Sequence, residues 1–125
     1  DCSNNQLTSL EGALEVVKGY FDCDYNQLTS LEGSPEIIEG FFDCSNNQLT
    51  SLKGAPEIIK RSFYCRYNQL ASLEGAPKTV EGDFDCRYNQ LTSLEYLPFQ
   101  KENYTDFSDD MFNEYMKAKF PHRLI

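Results

Sequence analysis

Cys2, Cys23, Cys44, Cys65 and Cys86 stand 21 residues apart without a slip, and each opens nearly the same phrase. The first and third phrases read D-C-S-N-N-Q-L-T-S-L, the second D-C-D-Y-N-Q-L-T-S-L, the fourth Y-C-R-Y-N-Q-L-A-S-L and the fifth D-C-R-Y-N-Q-L-T-S-L. A period between about 20 and 50 residues signals stacked structural units, each touching only its neighbours. With no insertion to break register, every unit must turn through one common geometry. The chain is therefore expected to be a solenoid, and its properties are to be sought in columns of equivalent residues.

Within one unit, Ile38, Gly40, Phe42 and Cys44 alternate with Glu39, Phe41 and Asp43, the period-2 pattern of a strand with one buried face. Parallel stacking in register then sets Phe on Phe and Cys on Cys at about 4.8 Å. Leu28, Leu31 and Ile38 continue the inner line. One unit cannot bury its own apolar edge, so several must stack before any is stable. Asn26, Asn47, Asn68 and Asn89 follow the strand at a fixed offset. A buried Asn must satisfy both its carbonyl and its amide, which bonds to the backbone of its own turn and of the next coil would do. The Thr-Ser pairs with Gly12, Gly33, Gly54 and Gly75 mark a tight return, and Pro35, Pro56, Pro77 and Pro98 fit an extended back side.

The run F-x-C-x-x-N-x-L-x-x-L resembles the leucine-rich-repeat signature L-x-L-x-x-N-x-L-x-x-L, with Phe and Cys at strand positions. The short unit with a Pro on the return is similar to the compact bacterial class of internalins and type III secretion effectors. The spelling with Cys and L-T-S-L-x-G-x-P resembles repeat proteins often encoded by tailed bacteriophages. The resemblance covers roughly residues 1–107. It implies a leucine-rich-repeat solenoid with a parallel β-sheet on the concave face and an irregular, extended convex side. It also implies a viral accessory, structural or host-defence-antagonist role, in the cytoplasm of a bacterial host or in the virion.

At 125 residues the chain is one domain with a long, thin core. Its net charge of −9 argues against nucleic acid, whose phosphates call for clustered Lys and Arg. No apolar run approaches the roughly 18 residues of a membrane helix. Solenoids require polar end caps, so a chain opening at Asp1-Cys2 inside a strand is expected to be a fragment. An odd count of cysteines in one inward column argues for free thiols and a reducing compartment. Zinc is disfavoured, since there is no C-x-x-C and no His nearby. No cofactor is expected.

After Pro98 the pattern decays, but the register carries Tyr104 to Phe107 into a degenerate closing strand. Ser108 then reads as a helix N-cap with Asp109 and Asp110 in the first turn. Phe112, Tyr115 and Met116 share a face before Pro121 ends the helix, so residues 108–125 are expected to form a C-terminal capping helix.

Function is expected on the strand residues that point outward. One column is Asp1, Asp22, Asp43, Tyr64 and Asp85, flanked by Tyr20 and Phe41 on one side and by Asp24, Arg66 and Arg87, then Tyr25, Tyr67 and Tyr88, on the other. Aromatic residues with Arg are typical interface anchors, and such a surface suits a protein partner. Solvated carboxylates that guard a sheet against aggregation are the plainer reading of the Asp column. Calcium on that column is disfavoured, because the glycine-turned ligand loop of a dedicated site is missing. Catalysis is not expected either. A single His, His122, allows no nucleophilic triad, and the Asp column is not expected to push two carboxylates apart in pKa. The sequence thus favours a non-enzymatic protein-binding module, with a structural spacer of a larger assembly as the alternative.

Overall fold

The structure is a computed structural model and describes residues 1–93 and 95–98. It contains parallel strands stacked as a solenoid. Coils two to five each contribute two short strands: β1 (Val16–Val17) and β2 (Phe21–Asp22), β3 (Ile37–Ile38) and β4 (Phe42–Asp43), β5 (Ile58–Ile59) and β6 (Phe63–Tyr64), β7 (Thr79–Val80) and β8 (Phe84–Asp85). They form two four-stranded sheets, β1-β3-β5-β7 and β2-β4-β6-β8. Every pairing is parallel and steps by one repeat, Phe21 on Phe42, Phe42 on Phe63 and Phe63 on Phe84. There is no helix among the described residues. The closing strand at 104–107 and the capping helix at 108–125, with His122, lie outside the described residues.

The single strand expected from Ile38 to Cys44 is divided in two, and the back side is correspondingly less irregular than expected. Burial still alternates as the sequence implied, with Ile38, Phe42 and Cys44 fully enclosed. The chain bends between them while the inter-coil bonds continue, Gly40 donating its N–H to the Gly19 carbonyl at 2.8 Å. A Cβ on Gly40 would sit 2.7 Å from that carbonyl oxygen, so the coils approach too closely there for a side chain.

Inside, the Phe rings stack at centroid distances of 5.4, 5.7 and 5.1 Å with interplanar angles under 20°. Each enclosed Phe, Leu or Ile contributes about 1.5–3 kcal/mol by burial. The four buried cysteines are free thiols, and Cys2 in the first coil is half-buried. Burial first, then neighbouring thiols and carboxylates, pushes the Cys23 and Cys65 thiols far above the ordinary range.

The Asn column forms the expected ladder, with the preceding coil in place of the next. The Asn47 amide donates to the Cys44 and Ser45 carbonyls of its own turn and to Cys23 one coil back, at 3.0–3.1 Å. Its oxygen accepts the Leu28 N–H at 2.9 Å. Asn26, Asn68 and Asn89 repeat the pattern. On the return, each Ser of the Thr-Ser or Ala-Ser pair accepts the N–H two residues on. The following Gly takes a left-handed turn, and at Gly54 (φ +91°) a Cβ would lie 2.5 Å from the Glu32 backbone nitrogen.

Candidate functional site

The outer face of the β2-β4-β6-β8 sheet carries the predicted residues, and the reason Asp recurs there is local. Asp is a poor strand former, but each carboxylate accepts the backbone N–H two residues on. Asp22 does so from Asp24 at 3.1 Å, Asp43 from Ser45 at 2.9 Å and Asp85 from Arg87 at 3.2 Å. Asp1 does the same for Ser3. The Asp column thus ends each strand and starts the turn. In the fourth coil Tyr64 cannot play that part, and the Arg66 N–H goes instead to the Ser45 hydroxyl of the coil before, at 3.1 Å.

The next corner places one residue per coil in the left-handed region: Asn4, Tyr25, Asn46, Tyr67 and Tyr88, all at φ between 55 and 61°. Tyr25, Tyr67 and Tyr88 therefore stand on a turn beyond the strand, and not on the sheet face where the sequence reading puts them. Asn is at ease at such a φ; Tyr is a costlier choice there. Three tyrosines in that column, each more than half exposed, contribute little to the core.

The face assembles into a connected chain of groups. Tyr20 and Phe41 stack at 4.9 Å, and Phe41 meets the Tyr64 ring edge-on at 6.1 Å. Arg66 lies over Tyr64 at 5.6 Å and reaches Asp85 at 3.5 Å. Arg87 grips the same carboxylate with two hydrogen bonds, 3.0 Å from Nε and 2.9 Å from the terminal nitrogen. Its guanidinium stands 6.0 Å from the Tyr88 ring, which stacks on Tyr67 at 4.4 Å with the planes 6° apart. Asp85 is only 2 % exposed, held between two cations. Tyr25 is not drawn in: Asn4 and Asn46 flank it in its column, about 10 Å from the next tyrosine at strand spacing.

At the other end of the face, one oxygen each from Asp22, Asp24 and Asp43 lie within 4.8 Å of one another. Burial, then a hydrogen bond to Asp22 and the charges of Asp22 and Asp43, pushes the Asp24 carboxyl up to about 7. Burial also raises Asp43, against the N–H and hydroxyl of Ser45 and the charge of Arg66. The sequence placed these acids in adjacent columns, but their convergence depends on the turn made by the Asp22–Asp24 hydrogen bond.

Fold and site together define a class: a repeat solenoid that displays aromatic rings and guanidinium–carboxylate pairs on one sheet face. No protein-family model, no curated protein and no solved structure matches the chain.

Proposed function

We propose that this chain is a non-enzymatic protein-binding module of leucine-rich-repeat type, and that its partner docks on the face running from Tyr20 to Tyr88. The observation that carries the reading is the aromatic expense at the corner. Tyr67 and Tyr88 hold a left-handed backbone that Asn holds in the same column, and they remain 52 % and 60 % exposed. Flat, rigid rings beside pre-positioned guanidiniums supply contact area at little cost in side-chain freedom. The Arg66–Asp85–Arg87 network fixes their orientation before a partner arrives. Buried free thiols suit a reducing compartment such as the cytoplasm of a bacterial host, and the phage-like repeat spelling suits an accessory or antagonist protein there.

Arg87 is a poor probe of this reading, because its removal strips the enclosed Asp85 carboxylate of its bidentate partner and unsettles the fold. The better variant borrows residues from the same columns: Phe41→Ser, as at Ser62, with Tyr67→Asn and Tyr88→Asn, as at Asn46. Affinity capture from the native host, read by mass spectrometry, should lose its specific partner in this variant while the unfolding curve holds. A structural spacer would lose nothing.

A further inference from the structure

The repeat supplies its own comparison. In coils four and five, one carboxylate of the Asp column, Asp85, receives two guanidiniums from the neighbouring column, with Tyr64 and Tyr88 beside them. In coils two and three the acceptors recur and the cations do not. Asp22 and Asp43 hold the column of Asp85, Asp24 and Ser45 hold that of Arg66 and Arg87, and the Tyr20–Phe41 stack supplies the rings. Among the described residues no Lys or Arg comes within ion-pair distance of Asp22, Asp24 or Asp43, although their oxygens crowd within 4.8 Å.

We propose that this half of the face receives an arginine side chain from the partner protein, its guanidinium on the Asp22–Asp43 carboxylates and its plane against the Tyr20–Phe41 rings. The proposal rests on the binding-module reading and names the partner chemistry for that surface. A planar fork matches paired carboxylate oxygens and stacks on a ring, which a lysine ammonium does not. Within the chain, Arg87 makes that fork on the equivalent carboxylate with the Tyr88 ring 6.0 Å away, while Arg66 lies over Tyr64 and stands 3.5 Å from the same carboxylate without a hydrogen bond from its Nε. A divalent cation is less well served: a calcium ion takes about six to eight oxygens, and Asp22 and Asp43 each already commit one to a backbone N–H.

The test is a titration of the full chain, labelled with nitrogen-15 and carbon-13, by three short peptides that differ at one position: arginine, lysine or citrulline. Saturable shifts at the Asp22, Asp24 and Asp43 amides and at the Tyr20 and Phe41 rings are expected with arginine, several-fold weaker with lysine and absent with citrulline. They should vanish in Asp22→Asn with Asp43→Asn, since Asn keeps the turn-forming oxygen and loses the charge. Should that variant lose its native spectrum, Asp24→Ser, the residue found at Ser45, removes one carboxylate and should weaken the arginine response. Equal shifts with arginine and lysine, spread over the acidic surface, would overturn the proposal. So would calcium alone saturating the same three amides, which would assign the cluster to a metal. If the peptide fails while capture still depends on Phe41, Tyr67 and Tyr88, the arginine seat is wrong and the binding face stands. If the peptide binds while capture ignores those three residues, the binding face is wrong.

Discussion

Replacing Asn47 tests whether the amide ladder holds the coils together. In Asn47→Ala the Cys23 and Cys44 carbonyls keep donors from Asn26 and Asn68. The Leu28 N–H does not: Asn47 Oδ1 is its acceptor, and Leu28 is fully enclosed. One orphaned buried donor together with the lost amide bonds should cost about 2–4 kcal/mol. Asn47→Asp restores the acceptor but aims a carboxylate at three carbonyl oxygens 3.0–3.1 Å away, where amide hydrogens had been. At pH 7 it should cost at least about 1 kcal/mol more than Asn47→Ala, as an unpaired buried polar group does. A carboxyl disfavoured as an anion in the fold binds its proton more tightly there than in the unfolded chain, so Asn47→Asp should recover stability as pH falls. Asn5, the exposed counterpart in the first coil, donates only to its own turn, and Asn5→Ala should stay within about 0.5 kcal/mol of the parent. Urea unfolding followed by far-ultraviolet circular dichroism measures all three. An Asn47→Asp protein as stable as the parent, or costing less than Asn47→Ala at pH 7, would refute the reasoning.

The glycine turns offer a matched pair: Gly12→Ala meets nothing within 4 Å and should cost only the left-handed penalty of about 1–2 kcal/mol, whereas Gly54→Ala drives a Cβ into the Glu32 backbone and should cost clearly more in the same unfolding assay. Because Asp24 titrates near 7 in the fold against 3.8 ordinarily, the native state holds a proton that the unfolded chain has released across that window. Melting temperature should therefore fall as pH rises from about 4 to 7, with Asp43 acting in the same sense, and Asp24→Asn should flatten the slope; an unchanged slope would place the effect elsewhere. Native thiol labelling should modify Cys2 first and spare Cys23, Cys44, Cys65 and Cys86 until denaturant is added. Cys44→Ser should cost about 1–3 kcal/mol and more than Cys44→Ala, because the nearest acceptor, the Tyr64 carbonyl, is 3.5 Å from Sγ and the shorter C–O bond draws a hydroxyl away from it.

The stack, its register and its core were legible because each rests on a period, and a period survives in the sequence whatever the local geometry. Phe on Phe, Cys on Cys and the Asn ladder follow from the 21-residue step alone. The bend at Gly40 was not legible, since alternation reports which face is buried and says nothing of where the chain turns between two strands whose inter-coil bonds continue through it. The tyrosine corner was not legible either: strict alternation would turn Tyr25 and Tyr88 inward with Cys23 and Cys86, and only the Asp carboxylate, by turning the chain two residues on, brings them out to solvent. That signal is present, as the Asp that ends β2, β4 and β8, but in the sequence it reads equally as a solvated carboxylate. The pairing of Asp85 with both Arg66 and Arg87 depends on long side chains crossing between columns, which no column-by-column reading contains.

The most direct test of a binding face on this scaffold is a footprint on the captured complex. Amide hydrogen exchange of the full chain, free and partner-bound, should show protection concentrated from Tyr20 to Asp24, around Phe41 to Ser45, and at Tyr64 to Tyr67 and Arg87 to Tyr88. Protection on the opposite side, along Gly12, Gly33 and Gly54, with the tyrosine face unchanged, would contradict the account.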